Sequence, residues 1–468
     1  MTSVCQDNFL REYVLTIDAV SACPLTSVAY KGCVDHKEIT PMTTSLRRWR
    51  WLPVVVATAA VLTACGSGSD DDSSSGGGAK KITFWLSTAA QIQGYTDLAK
   101  EFEAKEGVTV EVVNQPYDGY QDKLRQSAQA NSLPDVASVP SLDTIWINQL
   151  QDLSDTANND ANKIRKDLVT EQDGKVLAIP SDLTAAGLFI NKSLFTKAGV
   201  TFPTDPAQTW TWDEFLAAAT KVRTATGAKY DLVYDNSPAR IRAFIYNNGG
   251  KGFQLGSDGK YQMPDAATVS ALEKFKAMND DKVMPKSVWT SGADPNALFK
   301  SGQVVAYFSG VWQVPDFAEG ITDFEWASAP TPGPVHATDI NLGGKVVAFN
   351  NGDAAAPAKK WVDFIFQREN YTKLAQANGY LSVESGLTLT YPFESKAALD
   401  AFALYNKEIE LADPISASGQ AAGTKLILEG KAIQDDPTKA EMAKYINGEQ
   451  DVQKTVENIV NGLNSQLG

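Results

Sequence analysis

Cys65 closes the run Leu62-Thr63-Ala64-Cys65-Gly66. Arg47, Arg48 and Arg50 stand upstream, an apolar stretch runs from Leu52 to Ala64, and Gly66 to Gly78 is entirely Gly, Ser and Asp. A basic flank, a short apolar segment, small residues before a cysteine and a flexible tether form the layout of an exported lipoprotein precursor. The chemistry expected at this spacing is cleavage before Cys65 and attachment of lipid to its sulfur. The 13-residue, mostly apolar segment from 52 to 64 falls short of the roughly 20 that a spanning helix needs. It reads as a signal to be removed, because a core helix does not run straight into a Gly/Ser/Asp tract.

Other reactive chemistry is thin. Cys5, Cys23, Cys33 and Cys65 are the four cysteines, so the body beyond the tether carries neither disulfide nor thiolate chemistry. His336 is the one histidine after residue 64, too little material for a histidine base or a histidine metal site. No Gly-x-Ser-x-Gly elbow and no Gly-x4-Gly-Lys-Ser/Thr loop occurs, and no metal-ligand cluster is visible. A pair of carboxylates such as Asp182 and Asp143 is the residual material for a secreted glycoside hydrolase. Cutting before Cys65 removes six basic and five acidic residues, so 42 and 56 become 36 and 51 and the formal charge moves from −14 to −15. That acidic balance, without a Lys/Arg cluster, excludes nucleic acid as a partner.

These residues must be held by a folded body. The order along the chain is residues 1–41 as a misplaced upstream start, a signal peptide over 42–64 opening on Met42, a tether over 65–79, and about 390 further residues, enough for two full cores. Ile82, Phe84 and Leu86 alternate as one face of a strand, and Tyr95, Leu98, Ala99 and Phe102 recur at helical spacing before Gly107. Residues 108–113 make a second strand and Pro134-Asp135-Val136 opens a third, with Tyr120, Leu124 and Ala128 marking the helix between. Strand and helix alternating through short connections predicts an α/β domain around a largely parallel sheet. Thr211-Trp212-Asp213-Glu214 has the form of a capping box, residues 304–308 read as a strand, and 354–468 as mostly amphipathic helix.

Four segments resemble the extracellular solute-binding proteins of ABC importers, in the maltose-binding-like group (family 1) that binds sugars. They are Lys81 to Leu86 with the helix ending at Gly107; Gly174 to Pro180 through Leu188 to Phe195, Ala198-Gly199 and Thr211 to Phe215; Phe299 to Gly302 through Phe308 to Trp312; and Leu342-Gly343-Gly344 before Val346 with the helix around Trp361 to Phe366. The resemblance implies an α/β, two-lobed periplasmic-binding-protein-like fold with a hinge and an interlobe ligand cleft. The implied lobes are 80–182 with 328–371 and 183–327 with 372–468, crossing near Asp182-Leu183, Ala327-Ser328 and Tyr371. It also implies a sugar ligand captured by hinge closure, membrane permease subunits as partners, a monomeric chain on the outer face of the membrane, and no cofactor. Peptide, polyamine or another polar solute stays open as cargo.

A sugar needs aromatic plates for its C–H faces and polar side chains for its hydroxyls. The resemblance places a stacking tryptophan at Trp312, contacts at Thr88 and Gln91 after the first strand, Ser141 and Asp143 after the third, and Asp182 in the hinge bend. Tyr117 is a candidate for the cleft rim, and Asn236 and Arg240 for a ligand hydroxyl or carboxylate. Trp85 alternates against Phe84 and Leu86 and faces either the cleft or a covering helix. Gly344, beside Gly343, permits close backbone approach.

Overall fold

The computed structural model describes residues 80–87, 92–117, 119–333 and 336–467. Cys65, Met42, the signal segment and the tether lie outside the described residues. The strands are β1 (Lys81–Leu86), β2 (Thr109–Asn114), β3 (Val136–Val139), β4 (Thr170–Gln172), β5 (Lys175–Pro180), β6 (Leu183–Asn191), β7 (Tyr230–Tyr234), β8 (Val304–Gly310), β9 (Trp326–Ala329), β10 (Ile340–Leu342) and β11 (Lys345–Ala348). They form two sheets, β2-β1-β3-β11-β5-β4 and β10-β6-β8-β7, with β9 also on β6. The expectation of a largely parallel sheet needs correction. β1 is parallel to β2 and β3, and β7 to β8, but β11 enters antiparallel to β3 and β5, and β6 is antiparallel to β8, β9 and β10. β11 and β6 are the strands the chain enters directly from the other sheet, and β4 at the edge is also reversed against β5.

Local signals explain the elements. In β1, Ile82, Phe84 and Leu86 are buried under the helix Gln93–Glu106, which stops where Gly107 takes a left-handed φ of 69°. Phe84 meets Tyr95 at 5.0 Å and Trp361 at 6.1 Å, and Phe102 meets Trp361 at 5.3 Å, all edge-on. Each such buried aromatic stabilises the fold by about 1.5–3 kcal/mol. The second lobe starts its helix Trp212–Thr226 with the capping box: Thr211 N–H donates to Glu214 Oε2 (2.8 Å), and Glu214 N–H to Thr211 Oγ1 (3.2 Å).

The chain passes between sheets three times. The first passage is Ser181-Asp182, between β5 and β6. The second was expected near Ala327-Ser328, but β9 pairs with β6 from Leu188 to Asn191 and so belongs to the second sheet. The chain leaves that sheet only after β10, at Gly343-Gly344. The third was expected near Tyr371, which instead sits mid-helix in Arg368–Asn378, packed on the Gln93–Glu106 helix of the first lobe. That passage follows Asn378, before the helix Lys396–Leu411 packs on β9. Tyr371 still ties the passages together: its hydroxyl donates to Ser181 O (2.8 Å) and accepts from Val383 N–H (3.0 Å). Among the described residues no helix is long and apolar enough to cross a membrane.

Candidate ligand cleft

Both sheets present the carboxyl ends of their parallel strands toward the passages. β1, β2 and β3 end at Leu86, Asn114 and Val139, and β11 begins beside Val139 and Pro180 at Lys345. In the second sheet β7 and β8 end at Tyr234 and Gly310, and Gly310 pairs with Ala186, four residues past Asp182. Loops at strand carboxyl ends in α/β sheets are where ligands bind.

On the second lobe, Arg240 lies in the first turn of the helix Pro238–Asn247, which Ser237 caps by accepting from Arg240 N–H (3.2 Å). The residue is 5% exposed; its guanidinium sits 4.6 Å over the Trp312 ring and donates from Nη1 to Ser309 O (3.2 Å). Gly310 makes room for that ring, since a Cβ there would stand 2.1 Å from Cη2 and Cζ3 of Trp312. Behind them Asp235 accepts from Tyr307 Oη and from Ser309 Oγ (2.6 Å). Gln313 Nε2 donates to Tyr307 Oη (3.2 Å) and Ser309 Oγ (3.3 Å). Burial pushes the Asp235 carboxyl up, opposed by the Arg240 charge and then by the two hydroxyl donors. Asn236 donates to Val288 O (2.6 Å), and its Oδ1 is buried without a partner.

On the first lobe, a cavity of about 390 Å³ opens between Tyr117, Gln121 and Ser141 on one side and Ile427, Ile433 and Gln434 on the other. Tyr117 is 72% exposed. Ser141 O accepts from Gln121 Nε2 (2.9 Å), and Gln121 Oε1 is a buried atom without a partner. Asp143 also lines this cavity, with its carboxylate engaged: Oδ2 takes Arg125 Nε (2.7 Å) and Oδ1 caps Ile145 N–H (3.0 Å). Trp85 packs toward the covering helix Tyr120–Gln129. Its carbonyl accepts from Tyr120 Oη (3.1 Å), and Lys123 Nζ lies 4.9 Å over its ring.

At the hinge, Asp182 Oδ1 accepts from Ser181 Oγ (2.7 Å) and Gly344 N–H (3.0 Å), and its carbonyl accepts from Gly343 N–H (2.9 Å). Burial pushes the Asp182 carboxyl up to about 6, against the pull of those donors and of Lys345. Lys345, buried, is pushed down to about 8 and donates to Pro140 O (2.8 Å). Gly344 is required by packing, because a Cβ would lie 2.2 Å from Ser138 Oγ. Asp182 and Gly344 thus brace the passage between sheets.

The structure brings Trp312 and Arg240 together at the end of β8, sets Tyr117, Ser141 and Asp143 along the cavity of the first lobe, and puts Asp182 and Gly344 at the passage between the sheets. Thr88 and Gln91 lie outside the described residues. Sequence reading missed Asp235, Tyr307, Ser309 and Gln313. The signal was present, since Tyr307 and Ser309 are two apart in β8 and share a face, and Asp235 follows directly on β7. Asp143 and Asp182, the carboxylates considered for glycosidic chemistry, are engaged internally. No group of three His, Cys, Asp or Glu suited to a metal occurs among the described residues.

A binding protein of Brucella abortus is 26% identical over 324 residues, covering 66% of this chain and 77% of that one. The maltooligosaccharide ABC transporter solute-binding lipoprotein of Streptococcus pneumoniae (strain R6) is 26% identical over 354 residues, 68% of this chain and 76% of that one. Among solved structures, the ABC substrate-binding protein Lmo0181 of Listeria monocytogenes, in complex with cycloalternan, shares the fold. Its TM-score is 0.68 at 21% identity, covering 83% of this chain and 99% of that one. The two-lobed fold is thus that of solute-binding proteins, and the profile of the bacterial extracellular solute-binding family matches residues 97–401. The chain belongs to that bacterial extracellular solute-binding protein family.

Proposed function

We propose that this protein captures a saccharide between its lobes, closes on it by hinge motion without altering it, and delivers it to the membrane permease of an ABC importer. The lobes meet along the passages at 181–182, 343–344 and 379–395, with Trp312, Arg240 and Asn236 on one wall and Tyr117 and Ser141 on the other. Thr88 and Gln91 are further candidate contacts by the resemblance alone. Cys65 carries the lipid that holds the protein outside the cell, after the signal at 42–64 is removed.

The observation that carries this reading is the Trp312–Arg240 wall: an aromatic ring and a buried donor fork at strand carboxyl ends beside the hinge. Rings and planar donors are what a polyhydroxylated ligand needs. Relatives whose names mark them as oligosaccharide binders support the cargo, and the lipoprotein among them supports the anchor. Closure follows from ligand binding only when the closed form binds more tightly than the open one. A thermal-shift panel of saccharides, peptides and polyamines tests the cargo: a saccharide should raise Tm and reduce the radius of gyration in solution scattering. Stabilisation by peptides alone, or turnover of any saccharide, would overturn it.

A further inference from the structure

Arg240 is a buried cation with unfilled capacity. A guanidinium carries five N–H donors, and the described residues supply one acceptor, Ser309 O at 3.2 Å, and one ring face, Trp312 at 4.6 Å. Asp235 stands outside ion-pair range with both oxygens taken by Tyr307 and Ser309, so no carboxylate pairs with Arg240 among the described residues. At 5% exposure a charge left this way is unfavourable until an anion or strong acceptor reaches it. The residue is also fixed in place. Ser237 caps its helix, Trp312 covers one face of the fork, and Gly310 seats the ring. A rigid fork with free parallel N–H groups matches a carboxylate in bidentate fashion.

We infer that the ligand is an acidic saccharide, with a sugar carboxylate received by the free N–H groups of Arg240 beside Trp312. This rests on the saccharide reading above and narrows it. A neutral sugar hydroxyl can accept from Arg240 but adds no charge to the fork, which Asp235 offsets only from beyond ion-pair range. A uronate at the same position supplies both oxygens and the opposite charge. The overall acidity of the chain does not argue otherwise, because screening weakens distant surface charges while a buried pair is screened far less.

The test is calorimetry of the full-length mature protein with matched pairs differing only at C6: digalacturonate against galactobiose, and glucuronate-terminated against glucose-terminated disaccharides. The acidic member of at least one pair should bind about 30-fold more tightly than its neutral twin. Arg240→Gln should reduce that gap to about threefold, with Arg240→Lys falling between. If the neutral twin binds as well or better, the inference is overturned and the saccharide reading stands. If no member of any pair binds, both are overturned. The comparison in the unsubstituted protein holds even if Arg240→Gln fails to fold.

Discussion

Arg125 in the first lobe and Arg240 in the second are both held at the mouths of parallel strands, but their surroundings differ. Arg125 grips the buried carboxylate of Asp143 at 2.7 Å and reaches Asp122 at 2.8 Å. Its charge is balanced within the fold. Arg240 has a ring and one carbonyl. Residue type does not mark the site; uncommitted bonding capacity does. Arg125→Ala should therefore destabilise strongly, by about 3 kcal/mol in urea unfolding, because it strands the buried Asp143 carboxylate. Arg240→Met breaks no ion pair and should lose less, about 2 kcal/mol, from the ring contact, the Ser309 carbonyl bond and the longer-range field on Asp235. Equal losses for the two would erase the distinction.

The same contrast separates the buried carboxylates. Asp143 has a guanidinium partner, whereas Asp182 is held by a hydroxyl and a backbone N–H. Burial lifts the Asp182 carboxyl from its ordinary 3.8 to about 6. Between those values the folded protein keeps a proton that the unfolded chain has released. The stability contributed is therefore complete below about pH 4 and lost as pH rises through 6, on the order of 2 kcal/mol. Glu384 and Glu408, lifted to about 8 and about 7 by burial, act in the same sense but cancel between variants. Unfolding at about pH 4.5 and about pH 7 should show the stability of the natural protein falling relative to Asp182→Asn. A pH-independent difference would mean that Asp182 is not the titrating brace of the hinge.

Where the sequence could be read, local rules sufficed. Alternation in β1, the stop at Gly107 and the Thr211 box each act within a few residues, and each element stands where those rules put it. The passages were harder because partners are far apart. β9 and β10 are short and both pair with β6, and nothing near Ala327 signals that pairing. Trp85 failed differently: period-two alternation separates faces, but both faces of this sheet are covered. Asp182 is tied to Gly344, 162 positions away, so its carboxylate was not legible as a brace. The Trp312–Arg240 pair was named residue by residue, but their stacking depends on Gly310 being bare.

The last comparison is the most discriminating. Each lobe sets a cation over a tryptophan, Lys123 over Trp85 at 4.9 Å and Arg240 over Trp312 at 4.6 Å. The first pair closes the packing of a helix on its sheet, and Lys123 is further engaged by Gln115 Oε1 at 2.6 Å. The second pair stands at the end of β8 beside the hinge. Trp312→Ala removes both a ring surface for the ligand and the shelf that orients Arg240, so saccharide affinity should fall by about 1–2 kcal/mol, roughly 5- to 30-fold by calorimetry. Trp85→Phe keeps an aromatic under Lys123 and should move the unfolding midpoint with little change in affinity. If Trp85→Phe weakened the saccharide as much as Trp312→Ala, the ligand would have to contact the covering-helix side of the first sheet, and the wall assigned to it in the second lobe would be wrong.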